Sequence, residues 1–144
     1  MLEAKLNLSE QNLSESWKSL VLDFTLSNTS DDDLYFLKHN TPFEACHCFL
    51  VKKDGNVVEY DGPFFKRSSP IASDYIHIKG KENISTQYVI SNFYDISKKG
   101  EYEIVLKKPF LVSLRFETEV FVDAKINYVV EEDVYRPTLG QLAR

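Results

Sequence analysis

"ISTQYVISNFYDISKKGEYEIVL", residues 84–106, decides the fold class. Ile84, Thr86, Tyr88 and Ile90 fall on one side of an extended chain, and Tyr102, Ile104 and Leu106 do so again further on. Between the two runs lies the make-up of a tyrosine corner. There, a Tyr at the start of a strand returns its hydroxyl to backbone a few residues upstream, after the chain has crossed between sheets. Tyr102 is the candidate; the alternative is that it only packs.

The same period of two extends outward in both directions. Leu2, Ala4, Leu6 and Leu8 alternate with polar neighbours, and Leu20, Leu22, Phe24 and Leu26 put one apolar face opposite Val21, Asp23 and Thr25. "NTSDDD" closes that strand, since Asn, Ser and Asp favour turns through local side-chain bonds. "LYFLK" and "DYIHI" read as short strands, and "CFLVKKDGNVVEY" reads as a hairpin turning at Asp54-Gly55. The expectation is an all-β, immunoglobulin-like antiparallel β-sandwich of seven to nine strands. It occupies residues 1–130 as a single domain, with a polar C-terminal tail at 131–144.

From residue 112 to 130 the even positions stay mostly apolar with no Gly or Pro. One straight strand of that length would run about 60 Å at about 3.3 Å per residue. A compact domain of this size is only about 40 Å across. The segment must bend, cross between sheets, or project and pair with another chain; a bend is expected near residues 117–119, where Glu117 and Glu119 flank Thr118.

Composition narrows the function. Hydrophobic residues make up 43% of the chain, with ten Phe and eight Tyr, enough for one core without metals or disulfides to hold it. The 17 basic residues are outnumbered by 22 acidic ones, a net charge of −5 that argues against nucleic acid or an anionic membrane as partner. No apolar run is long enough to span a bilayer, and the first residues have neither the basic nor the apolar part of a signal peptide. Four sequons, at Asn7, Asn12, Asn28 and Asn83, are at the level chance supplies in a chain rich in Asn and Ser.

The order and spacing of several elements resemble the N-terminal prodomain of deuterolysin-type (peptidyl-Lys) zinc metalloendopeptidases over roughly residues 20–106. Asn28-Thr29, Thr41-Pro42 and Asp54-Gly55 come first. Tyr60, Gly62, Lys66, Arg67 and Pro70 come next, then Gly80, and then Tyr94, Asp95, Ser97, Gly100 and Tyr102. The resemblance implies the immunoglobulin-like sandwich, with Asp95, Gly100 and Tyr102 as structural residues. It also implies a secreted or periplasmic setting and a role in inhibiting a peptidase or assisting its folding. Two features depart from the pattern. "EACHC" stands where a plain loop is expected, and the catalytic His-Glu-x-x-His is missing: His39, His47 and His77 are none of them followed by Glu. Peptidase activity is therefore not expected of this chain, and neither is any other enzymatic activity or cofactor.

Two stretches are left as sites. In "GPFFKRSSP" two adjacent aromatics cannot both face a core, so Phe64 or Phe65 is expected at the surface beside Lys66 and Arg67. An exposed aromatic next to Arg suits a protein partner, a peptidase being the one the resemblance implies. The competing reading caps the sandwich with one Phe and leaves the basic pair solvated. The alternative mode of association is a dimer or larger assembly through the C-terminal strands. Cys46 and Cys48, two residues apart, are weak metal candidates. A regular strand would put both sulfurs on one face with His47 on the other, and no further ligands complete a tetrahedron. Their spacing also strains a disulfide. Elemental analysis of the purified chain is expected to find no tightly held zinc; one zinc per chain would refute this reading.

Overall fold

The computed structural model describes residues 2–12, 18–44, 47–64, 69–113 and 117–133. Among these, eleven strands form three antiparallel sheets, more than the seven to nine expected. β1 (Leu2–Asn12), β2 (Lys18–Asn28) and β7 (Asn83–Val89) make the first sheet, in the order β1-β2-β7. The second, in the order β10-β9-β3-β6, contains β3 (Leu34–Leu37), β6 (Tyr75–Ile78), β9 (Phe110–Ser113) and β10 (Glu117–Val120). The third, in the order β11-β8-β4-β5, contains β4 (Phe49–Lys53), β5 (Asn56–Val57), β8 (Gly100–Leu106) and β11 (Lys125–Val130). Short 3-10 turns at Ala72–Asp74 and Ile90–Asn92 are the helical elements among the described residues.

The alternation expected of β2 is the alternation found: Leu20, Leu22, Phe24 and Leu26 are all buried. Val21, in register with Val89 and Ser9 on the opposite face, is buried too. Apolar side chains from all three sheets join one core. The first sheet meets the second where Phe24 lies 6.2 Å from Phe110, and meets the third where Phe49 lies 5.1 Å from Tyr88. Phe36 and Phe43 fill the space around Phe24 and Phe110. Asp54 and Gly55 both take positive φ, 49° and 85°. This is the mirror-image turn whose twist suits a two-residue hairpin. The Asp54 carboxylate accepts the Glu101 N–H at 2.9 Å and so ties that hairpin to β8.

The long apolar run of residues 112–130 does not bend where expected. Residues 117–119 lie inside β10, and Glu117 pairs with Ser113, so the chain reverses between those two positions. It then leaves the second sheet after Val120 and enters the third at Lys125. One alternating pattern thus serves three strands in two sheets, because side-chain period alone carries no mark of a reversal when neither Gly nor Pro sits at the turn. The division of this run into β9, β10 and β11 accounts for the extra strands. The tail from residue 131 is described only as far as Asp133, whose carboxylate accepts the Lys99 N–H at 2.6 Å.

Two buried polar groups fix the connections. Tyr102 is buried and its hydroxyl donates to the Lys98 carbonyl at 2.7 Å, the geometry of a tyrosine corner. Upstream, Asp95 accepts the Ser97 N–H at 3.1 Å and the Ser97 hydroxyl. Gly100 opens β8 with the Lys53 and Asp54 side chains packed over it. At the other end of the molecule Asn28 is almost wholly buried. Its amide nitrogen donates to the carbonyls of Asp32 (2.7 Å), Lys79 (3.1 Å) and Ile78 (3.3 Å). Its amide oxygen accepts the Ser30 N–H (3.1 Å) and hydroxyl (2.7 Å), and its own N–H reaches the Glu82 carbonyl at 2.9 Å.

Replacing Asn28 by Ala strands several of these groups at once and is expected to cost about 3 kcal/mol in denaturant unfolding. Tyr102→Phe should cost about 1–3 kcal/mol, because the Lys98 carbonyl loses its donor. Burial first, then the Asp95 charge, pushes the Tyr102 hydroxyl up to about 12 from 10.0. The fold therefore favours the protonated hydroxyl. Its contribution is intact below pH 10.0 and is lost as pH rises toward about 12. Tyr102→Phe should flatten stability over that alkaline window; an unchanged midpoint and an unchanged alkaline slope would remove the corner from the account.

Candidate functional site

Tyr60 and Tyr94 meet through an isolated antiparallel bridge, and the Asp61 N–H donates to the Phe93 carbonyl at 2.7 Å. These bonds lay residues 60–64 against residues 93–94. The Tyr60 hydroxyl donates to the Pro63 carbonyl at 2.7 Å and closes the loop on itself. Gly62 allows that closure: a Cβ there would stand 2.5 Å from both the Phe93 ring and the Tyr60 hydroxyl.

On this loop the rings form a shelf. His47 stacks on Tyr60 with centroids 4.5 Å apart and planes 8° from parallel. Phe64 turns its edge to Tyr60 at 5.1 Å and to His47 at 6.3 Å. Beneath them Tyr60 contacts Tyr94 at 5.5 Å and Phe93 at 6.1 Å. Tyr94 is itself buried, and its hydroxyl donates to the Phe49 carbonyl at 2.6 Å. A continuous column of rings therefore runs from the core to Phe64, which is 77% exposed. Each ring pair of this kind contributes about 0.5–1.5 kcal/mol beyond simple burial. Phe64 is thus an apolar group held at the surface by neighbours that are themselves fixed.

The electrostatics of the shelf come from the two lysines just past the end of β8. The Lys107 N–H donates to the Cys48 carbonyl at 3.0 Å, which sets Lys107 and Lys108 next to His47. Burial, then Lys108, then Lys107, lowers the pKa of His47 below its ordinary value, so at neutral pH the ring stacked on Tyr60 is uncharged. The shelf is an aromatic surface with an uncharged imidazole in it, and its backbone neighbours include two lysines and the exposed Asp61.

Of the binding residues expected from sequence, Phe64 is placed at the surface, and Phe65, Lys66 and Arg67 lie outside the described residues. Cys46 is outside them as well. Cys48 is fully buried in the core. The hairpin strand expected from Cys48 begins one residue later, β4 starting at Phe49, and His47 belongs to the bend before it, so a regular strand does not set its direction. Among the described residues no three His, Cys, Asp or Glu side chains gather as a metal site would require. His39 lies 3.4 Å from Asp74, and His77 lies 2.9 Å from Asp33, which also accepts the Gly80 N–H at 3.0 Å. The acidic turn at residues 31–33 is thus partly engaged in holding the loop after β6.

Sequence reasoning does not reach His47, Tyr60 or Phe93 as site residues. Tyr60 and Gly62 stand in the family pattern with no role attached. A regular strand would turn His47 away, and only the bend brings it onto Tyr60. Nothing in the sequence marks Lys107 and Lys108, which reach the shelf only through the pairing of residue 107 with residue 48.

No family model matches the chain. Over 104 residues, 72% of its length, it is 33% identical to a protein of Aeromonas hydrophila named extracellular protease, and the match covers 29% of that protein. Over 83 residues, 55% of its length, it is 31% identical to a neutral protease 2 homolog of Uncinocarpus reesii (strain UAMH 1704), covering 23% of it. The chain therefore spans less than a third of either relative, and what it shares with these protease-named proteins is one region of each.

Proposed function

We propose that this chain is a non-catalytic protein-binding module, an immunoglobulin-like sandwich akin to a deuterolysin-type prodomain, that docks on a peptidase as an inhibitor or folding assistant. The observation that carries the reading is Phe64, 77% exposed yet held by the ring column at its base. An apolar anchor that is already fixed loses little entropy on docking, and aromatic anchors dominate the energetics of protein interfaces. The similarity of one region to protease-named proteins supports a peptidase as the partner. On this reading the domain itself hydrolyses nothing.

A second reading is favoured by the C-terminal strands. β10 and β11 are edge strands of their sheets. Phe121, just after β10, and Val129, on β11, are 72% and 56% exposed. A strand edge with apolar neighbours is a template for pairing with another chain. The domain would then assemble with copies of itself.

Affinity capture from the source organism, with bound proteins identified by mass spectrometry, distinguishes the two. The wild-type chain is expected to retain a peptidase. Phe64→Ala should retain at least tenfold less; the loss of its two ring contacts should also lower the melting temperature slightly, so both chains are compared at a temperature where each is folded. Equal recovery of the peptidase on both chains would move the site off the shelf. Capture of no peptidase, together with concentration-dependent dimerisation that Val129→Lys abolishes, would favour the second reading.

A further inference from the structure

The chain is acidic as a whole, with 22 acidic against 17 basic residues, and Asp61 is exposed in the shelf's own loop, yet backbone pairing also brings two lysines close to His47. The charges acting on the His47 ring are those of Lys108 and Lys107. Lys107 is exposed and Lys108 half-buried, and both come directly after the last residue of β8. Their position is set by backbone pairing, through the bond from the Lys107 N–H to the Cys48 carbonyl, and not by the freedom of a loop. His47 in turn stacks on the face of Tyr60 and meets Phe64 at right angles. A ligand on this surface meets aromatic carbon, with the Lys107 and Lys108 side chains extending from a backbone anchored beside His47.

We infer that the shelf formed by His47, Tyr60 and Phe64 takes an acidic segment of a protein partner, one apolar or aromatic side chain seated on the rings and a neighbouring carboxylate set against Lys107 and Lys108. The inference rests on the reading of the chain as a protein-binding module and adds the chemistry of what it binds. An apolar side chain laid on Phe64 removes from water a surface the fold leaves wet. The carboxylate supplies direction: it pairs with the ammonium groups, while a basic segment in the same place is repelled. The uncharged state of His47 fits this arrangement. A neutral imidazole keeps the stack on Tyr60 uncharged and leaves the positive charge at the lysines. The remaining surface being net negative, an acidic segment is steered to this patch and away from the rest.

Short labelled peptides test this with the intact chain. A Glu-Asp-Phe-Asp-Glu peptide is expected to bind at least tenfold more tightly than Lys-Lys-Phe-Lys-Lys, and at least tenfold more tightly than the acidic peptide with Ala in place of Phe. Raising the salt concentration should weaken it, since exposed charge pairs are screened. The double variant Lys107→Glu with Lys108→Glu should reverse the preference between acidic and basic peptides, and Phe64→Ala should abolish the preference for Phe. Circular dichroism melts keep folding separate from binding, because none of the three side chains is part of the buried core. Equal affinity for acidic and basic peptides, no binding of the acidic peptide at millimolar concentration, or tighter binding of a single-stranded oligonucleotide of the same charge would each overturn the inference. The outcome separates from that of the capture experiment. If a peptidase is retained by the Lys107→Glu, Lys108→Glu chain as well as by the wild type, the module reading stands and this inference falls. If the peptides behave as expected but no peptidase is captured, the shelf chemistry stands and the partner assignment falls.

Discussion

A single buried amide holds one end of this molecule together. Asn28 ends β2, and its side chain bonds to the loop that leads into β3, to the end of β6, and to the turn before β7. These are parts of two different sheets. No aliphatic residue of that size satisfies three carbonyls and two donors at once, and a charged one would bring a desolvation cost into the same space. The aromatic core between the sheets depends on this alignment: Phe24, two turns of the pleat before Asn28, reaches Phe110 only if β2 and the strands of the second sheet enter at the correct angle.

The other end is organised by hydroxyls. Tyr94 donates to Phe49 in β4, and Tyr102 donates to Lys98 just before β8. Each brings a large ring into the core and uses its one polar atom to satisfy a carbonyl there, so a loop crossing is fixed with little buried polarity left over. The shelf stands directly on the first of these anchors. It is therefore an outgrowth of the core, and a surface loop of ordinary mobility would not present Phe64 in a defined place.

Much of the strand content is legible in the sequence because half-buried strands write their burial in every second residue. β2, β7 and β8 keep that pattern closely, and Asp54-Gly55 names its own turn. Legibility ends where geometry leaves no local mark. The reversal between β9 and β10 keeps the alternation in phase and has no Gly or Pro to announce it. The bend at His47 resembles strand because its neighbours are apolar or small. Asn28 is the sharpest case. Its sequon, Asn28-Thr29-Ser30, is a surface signature by pattern, yet the nitrogen that would carry a sugar is committed to three carbonyls inside the protein. The candidate site is half legible: the impossibility of burying two adjacent rings narrows the exposed aromatic to Phe64 or Phe65, whereas Lys107 and Lys108 arrive from 43 and 44 positions beyond Phe64 through backbone pairing.

The column from Tyr94 to Phe64 also has a thermodynamic side. Anything that binds the folded shelf and not the unfolded chain stabilises the fold by mass action, about 2.7 kcal/mol when present at about a hundred times its Kd. Because the rings under the shelf are rings of the core, occupancy outside and packing inside are linked quantities. A partner held at the surface acts as a fastener for β4 and the Tyr94 turn, and a substitution that loosens Tyr94 weakens the partner by the same free energy with which the partner would have tightened it.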